Sequence, residues 1–390
     1  MIYDFDKHID RVNTHSAKWD SNPAYAKEVL PMWVADMDFQ CPQPIVDAVQ
    51  KRSQHPIYGY VHRTEDFQQV TCDWVKRRHG WGIKKEWVTF SPGVVPSVSA
   101  VIQMLTKPGE KVLIQRPVYY PFTNTINACG RTLVTSELIL KDDKYFMDFE
   151  DMEKKLRDPE VKLFILCNPH NPVARVFNED ELRKIAKLCI DNGVVILSDE
   201  IHCDIIMSGY KHIPIASLSK EISMNTITLM SVTKTFNIAG LQVSNMITEN
   251  EEFMKKFEAH LAMNTQNHIN AFAFEAYLAA YTKCDDFIDQ LCKYIEGNIK
   301  FAKKYIEENI PKLHTFEHQG TYLLWIDFKD LHMSDEELEK FCMEKIKVSM
   351  DGGYWFGEEG SGYMRMNMAC PRKTVEEAMK RFKTAIDQLK

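Results

Sequence analysis

The chain carries the stretch Ser231-Val232-Thr233-Lys234-Thr235-Phe236-Asn237-Ile238-Ala239-Gly240-Leu241, which decides the fold because it places one lysine directly after an apolar run. The preceding Thr226–Met230 is β-branched and apolar, which predicts a strand, and Gly240 closes the segment after it. Lys234 is therefore expected at a strand end, where open α/β sheets bind ligands. A lysine among small hydroxyl residues suits a Schiff base, but a solvated loop lysine has the same local sequence.

The composition is that of an ordinary globular protein of 390 residues, with 45% hydrophobic and 26% charged residues. The net charge of -7 is spread along the chain without a block of basic residues, so nucleic acid is not an expected partner. The N-terminus has neither a basic start nor an apolar core, and no apolar run approaches the ~20 residues that span a bilayer. We therefore expect a cytoplasmic protein with no membrane partner.

Cysteines and histidines give little support for disulfide bonds or for a metal. The ten cysteines are scattered from Cys41 to Cys370 without a Cys-x-x-Cys pair, which indicates buried reduced thiols. His314 and His318 have helix-compatible spacing, but proline and glycine crowd that stretch and no third ligand is evident. We expect no metal site.

Apolar runs alternate with amphipathic ones along the middle of the chain, in the order typical of strands and covering helices. Glu179–Asp191 is an example of a predicted covering helix. The predicted strands are residues 87–90, 112–115, 131–135, 163–167, 194–198, 226–230 and 243–247. We therefore predict an α/β fold with a mostly parallel, seven-stranded sheet and right-handed crossovers.

The character of the sequence changes near residue 285 to long charged helical stretches at 287–309, 334–344 and 374–389, with a strand at 321–328. This predicts a small α+β domain over 285–390 beside a large domain over 46–284. Residues 1–45 have little periodicity, yet 31–39 are too apolar for a free tail. We predict that residues 1–45 form an arm that contributes to the small domain and to contact with a partner subunit.

Turns after several predicted strands carry polar or aromatic groups suited to a ligand. Ser91-Pro92-Gly93-Val94-Val95 presents backbone N–H groups at a helix start, a setting that binds anions, and the rings of Tyr119-Tyr120 suit stacking on a flat ligand. Two Asn-Pro steps in Asn168-Pro169-His170-Asn171-Pro172 direct amides at the same sheet edge. Asp199 follows a buried strand, where a carboxylate requires a cationic partner. Taken singly, each is equally consistent with a plain turn, a core aromatic or a structural salt bridge.

The order of these motifs resembles that in the fold-type I pyridoxal-phosphate enzymes of the aminotransferase class I and II superfamily. Within them, the chain is most similar to the branch of carbon–sulfur β-lyases that contains cystathionine β-lyases and cysteine desulfhydrases. The match runs end to end, from residues 13–20 and 33–39 to Arg365-Met366-Asn367-Met368-Ala369-Cys370-Pro371-Arg372. The resemblance implies a fold-type I fold, pyridoxal 5'-phosphate as the cofactor, and a homodimer.

The resemblance also assigns roles to residues that bind the cofactor. Lys234 would hold it as a Schiff base, and an ionised Asp199 would keep its ring nitrogen protonated. Tyr60 resembles a tyrosine that reaches the phosphate from a neighbouring subunit. The full set of implied cofactor-binding residues is Lys234, Asp199, Asn171, Tyr119, Gly93, Val94, Val95, Ser231, His202 and Tyr60.

Substrate contacts are implied in the same way. Arg365 resembles the arginine that binds the substrate α-carboxylate through a bidentate fork, although a structural salt bridge is its alternative role. Tyr120, Ala35 and Trp33 are the other implied substrate-binding residues. Lys234 or Tyr120 would protonate the leaving sulfur.

The chain also departs from the pattern that it resembles. Ala174 stands before Arg175 where the family usually has glycine, so a turn that needs positive φ would be strained there. Gln242 stands where many aminotransferases have an arginine that reaches the phosphate, and His202 replaces a common tyrosine. The loss of the arginine argues against a typical aspartate-type transaminase.

The implied reaction is α,β-elimination on an L-amino acid with sulfur at Cβ, such as L-cystathionine, L-cysteine or a cysteine S-conjugate. The products would be a thiol or hydrogen sulfide, pyruvate and ammonia. Two alternatives stay open. One is an aminotransferase of the same fold, and the other is a pyridoxal-phosphate-binding regulatory protein that acts through protein–protein contact.

Overall fold

A computed structural model of the chain describes residues 1–25 and 27–389. Its strands are β1 Leu30–Pro31, β2 Val88–Ser91, β3 Lys111–Arg116, β4 Thr132–Lys141, β5 Lys144–Met147, β6 Val161–Cys167, β7 Val195–Asp199, β8 Thr226–Met230, β9 Ser244–Ile247, β10 His314–Thr315, β11 Leu323–Asp327, β12 Val348–Ser349, β13 Asp351–Gly352 and β14 Tyr363–Asn367. Its helices are α1 Ala17–Asp20, α2 Gln43–Ser53, α3 Asp66–His79, α4 Val94–Leu105, α5 Pro121–Ala128, α6 Phe149–Leu156, α7 Glu179–Asp191, α8 Lys220–Met224, α9 Val232–Thr235, α10 Glu251–Met263, α11 Ala271–Lys283, α12 Asp285–Asn309, α13 Asp335–Phe341 and α14 Arg372–Asp387.

The central sheet has eight strands in the order β2-β9-β8-β7-β6-β3-β4-β5. The five strands from β8 to β4 in that order run parallel, whereas β9, β2 and β5 pair antiparallel to their neighbours. The predicted α/β fold is confirmed, and each of the seven predicted strands is present. The eighth strand, β5, forms a hairpin with β4 through Asp142 and Asp143, which have φ of 49° and 60°. It escaped prediction because it is a short antiparallel extension at the sheet edge.

The sheet is buried between two layers of helices. Leu163 and Ile165 of β6 belong to one apolar cluster with residues of α4 and α5, whereas Phe164 and Leu166 belong to another with residues of α6 and α7. Both faces of the central strands are therefore covered, which explains why their sequences are continuously apolar rather than alternating. Helix α7 has the predicted bounds and begins with a capping box, in which Asn178 and Glu181 exchange side-chain and backbone hydrogen bonds.

A second, antiparallel sheet follows in the chain, with the order β10-β11-β14-β13, and α12 and α14 pack beside it. The N-terminal arm crosses to this part of the molecule. Strand β1 pairs in parallel with β12, and the amide of Asp38 donates to the carbonyl of Ala369 at 2.9 Å. These contacts tie the arm to the C-terminal part of the chain, and the domain bounds stay a prediction. Among the described helices, none combines the length and the apolar character needed to cross a bilayer.

Candidate active site

A cavity of about 450 Å³ lies at the edge of the central sheet where the parallel strands end. Strand β7 ends at Asp199, and the turn after β8 carries Lys234, so both side chains reach the same cavity from neighbouring strands. The predicted site residues that line it are Ala35, Gly93, Val94, Val95, Tyr119, Asn171, Asp199, His202 and Lys234. The predicted residues that do not line it are Trp33, Tyr60, Tyr120, Ser231 and Arg365.

Lys234 is held at the start of a short helix that follows β8. Ser231 caps this helix by accepting a hydrogen bond from the amide of Thr233 at 3.1 Å. The ammonium Nζ of Lys234 donates to the carbonyl of Ala35 at 2.5 Å. Burial and the positive charge of Arg365 lower the pKa of Lys234 to about 8, against the opposing effects of Asp36 and Asp199. About a tenth of Lys234 is therefore a free, nucleophilic amine at neutral pH, far more than for an ordinary lysine.

Asp199 is buried without an ion pair to any described residue. Its Oδ1 accepts a hydrogen bond from the amide of Ile201 at 3.1 Å. Burial raises the pKa of Asp199 to about 7, and the negative charge of Glu200 adds to this, whereas the Ile201 amide and Lys234 oppose it. A carboxylate in this setting would be stabilised by a cationic ligand group in the cavity.

Three further side chains shape the cavity wall. The amide of Tyr119 donates to the carbonyl of Asn171 at 3.0 Å, which ties the two loops together. His202 is buried, and its Nδ1 has no hydrogen-bond partner among the described residues. Burial, with the positive charges of Lys234 and Arg365, lowers the pKa of His202 to about 3. His202 is therefore a neutral imidazole with one ring nitrogen available to a ligand.

Helix α4 begins at the cavity with Val94 and Val95. Gly93 precedes it with φ of 152°, a conformation that few other residues adopt. The first amides of this twelve-residue helix have no carbonyl of the helix to bind, so its start suits an anionic group.

The sequence assigned phosphate binding to Ser231, but in the structure Ser231 caps the helix and Thr233 lines the cavity. The Ser231 hydroxyl donates to the carbonyl of Val243 at 2.7 Å and lies behind Thr233, which itself lines the cavity. The Oγ atoms of the two residues are 2.7 Å apart. Sequence reasoning missed Thr233, although it stands one residue before the lysine in the stretch that drew attention first.

Arg365 lies behind the cavity wall and is buried in an ion pair with Asp351. Its Nη1 donates to Oδ1 of Asn171 at 3.0 Å, and its Nη2 donates to the carbonyl of Trp33 at 3.3 Å as well as to Asp351. The salt bridge that the sequence left as an alternative therefore exists. Asp351 was not predicted, because nothing in the local sequence connects it with Arg365.

Tyr120 and Tyr60 lie apart from the cavity. The Tyr120 ring packs edge-on against Trp355 and Phe356, with centroids 5.9 and 5.8 Å away. Tyr60 is 96% exposed, and its nearest aromatic neighbour is His268 at 5.9 Å between ring centroids. Neither side chain reaches the cavity within this chain.

Two of the three departures noted in the sequence, Ala174 and Gln242, have a left-handed backbone. Ala174 has φ of 58° and is buried, so the turn does require positive φ and the alanine is strained. Gln242 has φ of 53° and lines the cavity from the end of a short 3₁₀ turn. His314 and His318, considered as ligands and rejected, bind Asp143 and the carbonyl of Thr321 instead.

A larger cleft of about 730 Å³ lies between α3, α12 and the loop after β7. On its wall, the ligand-type atoms of His79, Cys203 and Asp204 lie within 4.8 Å of one another. The Asp204 carboxylate already accepts hydrogen bonds from Trp74, His79 and Thr235, at 3.2, 3.0 and 2.8 Å. Burial also raises the pKa of the Cys203 thiol well above its ordinary value. This cluster therefore makes a hydrogen-bonded core rather than a set of free ligands.

Comparison with known proteins matches this arrangement to one family. The profile of the aminotransferase class I and II family covers residues 27–382. The chain belongs to the aminotransferase class I and II family. Its sequence is 41% identical to cystathionine β-lyase PatB of Bacillus subtilis (strain 168), over 98% of this chain and 99% of that protein.

Solved structures of the family superpose closely on this member. Cystalysin of Treponema denticola, which contains pyridoxal 5'-phosphate, matches with a TM-score of 0.97 and 37% identity over the whole of both chains. A pyridoxal-phosphate-bound protein of Clostridium difficile 630, provisionally named an aminotransferase, matches with a TM-score of 0.96 and 46% identity over 99% of this chain and 100% of that one. The predicted fold-type I architecture is thereby confirmed.

The cavity of this family member fits a flat ligand with an anionic tail and a protonated ring nitrogen. Asp199 is buried without a cation, the start of α4 offers free amides, and Lys234 lines the same cavity as both. These features meet the three needs of such a ligand, because the carboxylate stabilises the ring nitrogen, the amides bind the anion and the amine reacts with an aldehyde.

Proposed function

We propose that the chain is a pyridoxal 5'-phosphate-dependent carbon–sulfur β-lyase. Its substrates are L-cystathionine, L-cysteine or another cysteine S-conjugate, and one water is consumed to give a thiol or hydrogen sulfide, pyruvate and ammonia. The observation that carries the proposal is that the amine of Lys234 and the unpaired carboxylate of Asp199 face one cavity. The similarity to PatB, which is named a cystathionine β-lyase, supports this choice of reaction.

The residues that would hold the cofactor surround the cavity. Lys234 would bind it covalently, Asp199 would contact the ring nitrogen, and Tyr119 would stack on the ring. The amides at the start of α4, together with Thr233, would bind the phosphate. When bound, the cofactor accepts electrons from the bond that is broken at the substrate Cα.

Lys234 is the residue that we assign to proton transfer. Its Nζ would take the proton from the substrate Cα. The pKa of about 8 leaves it able both to accept this proton and to deliver one to the leaving sulfur. The carbonyl of Ala35 at 2.5 Å gives the released amine a hydrogen-bond acceptor on the arm.

Neighbouring residues position the substrate and the ring. Arg365 would bind the substrate α-carboxylate, with Trp33 and Ala35 on the arm beside it. Asn171 and the neutral imidazole of His202 would hydrogen-bond polar groups on the cofactor ring. Tyr120 stays a candidate for contact with the substrate, since the aromatic group of Tyr120, Trp355 and Phe356 stands near Arg365.

We also propose that the enzyme acts as a homodimer in the cytoplasm. Ile57, Tyr58 and Tyr60 form an exposed apolar stretch, with 68, 60 and 96% of their surface accessible, and a second copy would cover it. Tyr60 would then contact the phosphate of the neighbouring subunit. The ten cysteines are free thiols in the described residues, in keeping with a reducing compartment.

Replacing Lys234 by alanine tests the proposed function. Pyruvate release from L-cysteine and L-cystathionine should fall by at least about 100-fold, because the proton-transfer group is lost. The visible absorbance of the lysine-bound cofactor should disappear as well. Lys255→Ala is the control, since Lys255 is exposed and pairs only with Glu251 on its own helix. Undiminished pyruvate release by the Lys234→Ala protein would overturn the assignment.

An aminotransferase is the second candidate, favoured by the name of the Clostridium difficile neighbour. The two reactions differ in their products and in their need for a second substrate. Turnover that requires a 2-oxo acid and releases no thiol would support the aminotransferase. Thiol and pyruvate formed in equal amounts without a 2-oxo acid would support the lyase.

A further inference from the structure

The Nη2 group of Arg365 is engaged before any substrate arrives. A guanidinium offers a carboxylate two bidentate edges, Nε with Nη2 and Nη1 with Nη2, so both edges include Nη2. In this structure Nη2 donates to the carboxylate of Asp351 and to the carbonyl of Trp33. A ligand carboxylate therefore has to share Nη2 with Asp351 or to displace it.

Arg365 and Asp351 also form a buried ion pair with no net charge. Both side chains are 3% exposed, so their charges neutralise each other away from water. Arg365, Glu339, Tyr119 and Tyr120 lie near Asp351, and Glu339 adds a second negative charge. A ligand carboxylate at Arg365 would thus enter a region that already holds two carboxylates beside one guanidinium.

One atom shows that Arg365 still has room for a ligand. Its Nε is buried and has no hydrogen-bond partner among the described residues. Buried donors without a partner are rare in folded proteins, and this one belongs to one of the two bidentate edges. On this edge, Nε is free to donate to a ligand carboxylate, whereas Nη2 already donates to the carboxylate of Asp351.

We propose that Asp351 is a counter-carboxylate that lowers the affinity of Arg365 for the carboxylates of substrate and product. The inference rests on the proposed role of Arg365 in binding the substrate carboxylate. Its consequence for turnover is that pyruvate leaves readily, because the same arginine would otherwise hold the product as firmly as the substrate. Asp351 acts through Arg365 and is a positioning residue, not a catalytic one.

Substituting Asp351 by asparagine separates charge from shape. The amide keeps an oxygen that accepts from Nη2 and nearly the same volume, but it removes the competing charge. Calorimetric titration of the holoenzyme with propionate, a three-carbon carboxylate without an amine, should give a Kd about tenfold lower for Asp351→Asn than for the native enzyme, equivalent to about 1.4 kcal/mol. The KM for L-cysteine should fall as well, and inhibition by pyruvate should become stronger.

Two further variants keep the test decisive. Asp351→Ser, which also lacks the charge, should tighten propionate binding if the asparagine protein does not fold. Glu181→Gln is the matched control, because Glu181 pairs with the buried Arg175 at 2.6 Å and does not contact Arg365. It should lower stability without changing the propionate Kd.

A purely structural role for Asp351 would change the propionate affinity of the uncharged variants in the opposite direction. If Asp351 only held Arg365 in place, both uncharged variants would bind propionate more weakly, and the inference would be wrong. Arg365→Ala separates this result from a failure of the proposed function. Unchanged propionate binding in that protein would remove Arg365 from the carboxylate site, whereas lost binding there with no gain in Asp351→Asn would overturn the role of Asp351 alone.

Discussion

Two buried aspartates five positions apart, Asp199 and Asp204, have opposite surroundings. Asp204 accepts hydrogen bonds from Trp74, His79 and Thr235. Burial would raise its pKa, but the hydrogen bonds and the charge of His79 outweigh this and lower it. Asp199 accepts one backbone amide, and burial raises its pKa to about 7. The carboxylate of Asp204 therefore has hydrogen-bond donors from three side chains, whereas that of Asp199 has none from a side chain of the described residues.

On the proposed assignment of the cofactor site, unmet polar groups indicate a ligand site better than volume does. The cleft beside Asp204 is the larger, at about 730 Å³ against about 450 Å³ for the cavity beside Asp199. A carboxylate that already has three donors has little left to offer a ligand. The smaller cavity contains the carboxylate that requires a cation, and it also contains Lys234.

The largest expected effect is on turnover in Asp199→Asn. An amide cannot stabilise a protonated ring nitrogen by charge, so kcat for pyruvate release should fall by about 1000-fold. The matched Asp204→Asn protein should lose less than about tenfold at a temperature where it is folded. Comparable losses in the two proteins would contradict the distinction between the two aspartates.

The next effect concerns the stability of the cofactor-free protein as a function of pH. Asp199 has a raised pKa in the folded state, about 7 against an ordinary 3.8, so the folded protein binds the proton more tightly than the unfolded chain does. The contribution of Asp199 to stability is therefore present below about pH 4 and is lost as the pH rises to about 7. At about pH 8 the cofactor-free Asp199→Asn protein should be more stable than the native one by about 4 kcal/mol.

Urea unfolding of the cofactor-free proteins at about pH 4.5, well below the folded pKa of about 7, and at about pH 8, above it, measures this difference. The gain from Asp199→Asn should shrink at the lower pH. It should also vanish once the cofactor is bound, since the ring nitrogen then supplies the missing partner. A gain that persists with cofactor would mean that Asp199 does not face the ring.

Asp204 should behave in the reverse manner. Its pKa is lowered in the folded state, so its contribution to stability is present above the ordinary pKa and is lost as the pH falls through the folded value. Asp204→Asn should destabilise the cofactor-free protein at pH 8 by about 2 kcal/mol, because the buried donors of Trp74, His79 and Thr235 lose their charged acceptor. Urea midpoints check this, and no loss of stability would contradict a structural role.

The sequence predicted the fold well because apolar runs are enforced by burial on both faces of the sheet. Strands such as β6 and β8 lie between two helical layers, and because both faces are buried, apolar residues are favoured at nearly every position. Strand β5 lies at the sheet edge and is not buried on both faces, so its sequence lacks a continuous apolar run and the strand was not predicted. Sequence order also predicted that Lys234, Asp199, Asn171 and Tyr119 would share one cavity, because parallel strands end at the same sheet edge.

Contacts that depend on tertiary packing were beyond the sequence. Asp351 and Arg365 pair across the adjacent strands β13 and β14, and no sequence pattern predicts that these two residues are in contact. Thr233 rather than Ser231 lines the cavity because the short helix after β8 turns Ser231 inward to the carbonyl of Val243. The direction in which a side chain points at a helix start depends on the cap, which sequence alone predicts poorly.

The smallest effect tests strain in the turn that carries Asn171. Ala174 has φ of 58°, and its amide and carbonyl are both fixed, by the carbonyl of His170 at 2.8 Å and the amide of Gln319 at 2.9 Å. Glycine avoids the clash of Cβ in this conformation, and although it gains more freedom on unfolding, Ala174→Gly should raise stability by about 0.5–1 kcal/mol.

Ala186→Gly gives the control of opposite sign, because Ala186 is buried within helix α7, where glycine is destabilising. Urea midpoints of the two cofactor-free proteins measure the contrast. If Ala174→Gly is stabilising and leaves KM and kcat unchanged, the strain belongs to the turn and does not help to place Asn171. If instead stability rises while the affinity for the cofactor falls, the alanine holds Asn171 against the ring at the expense of stability. The strained turn that carries Asn171 would then contrast with the relaxed network around Asp204.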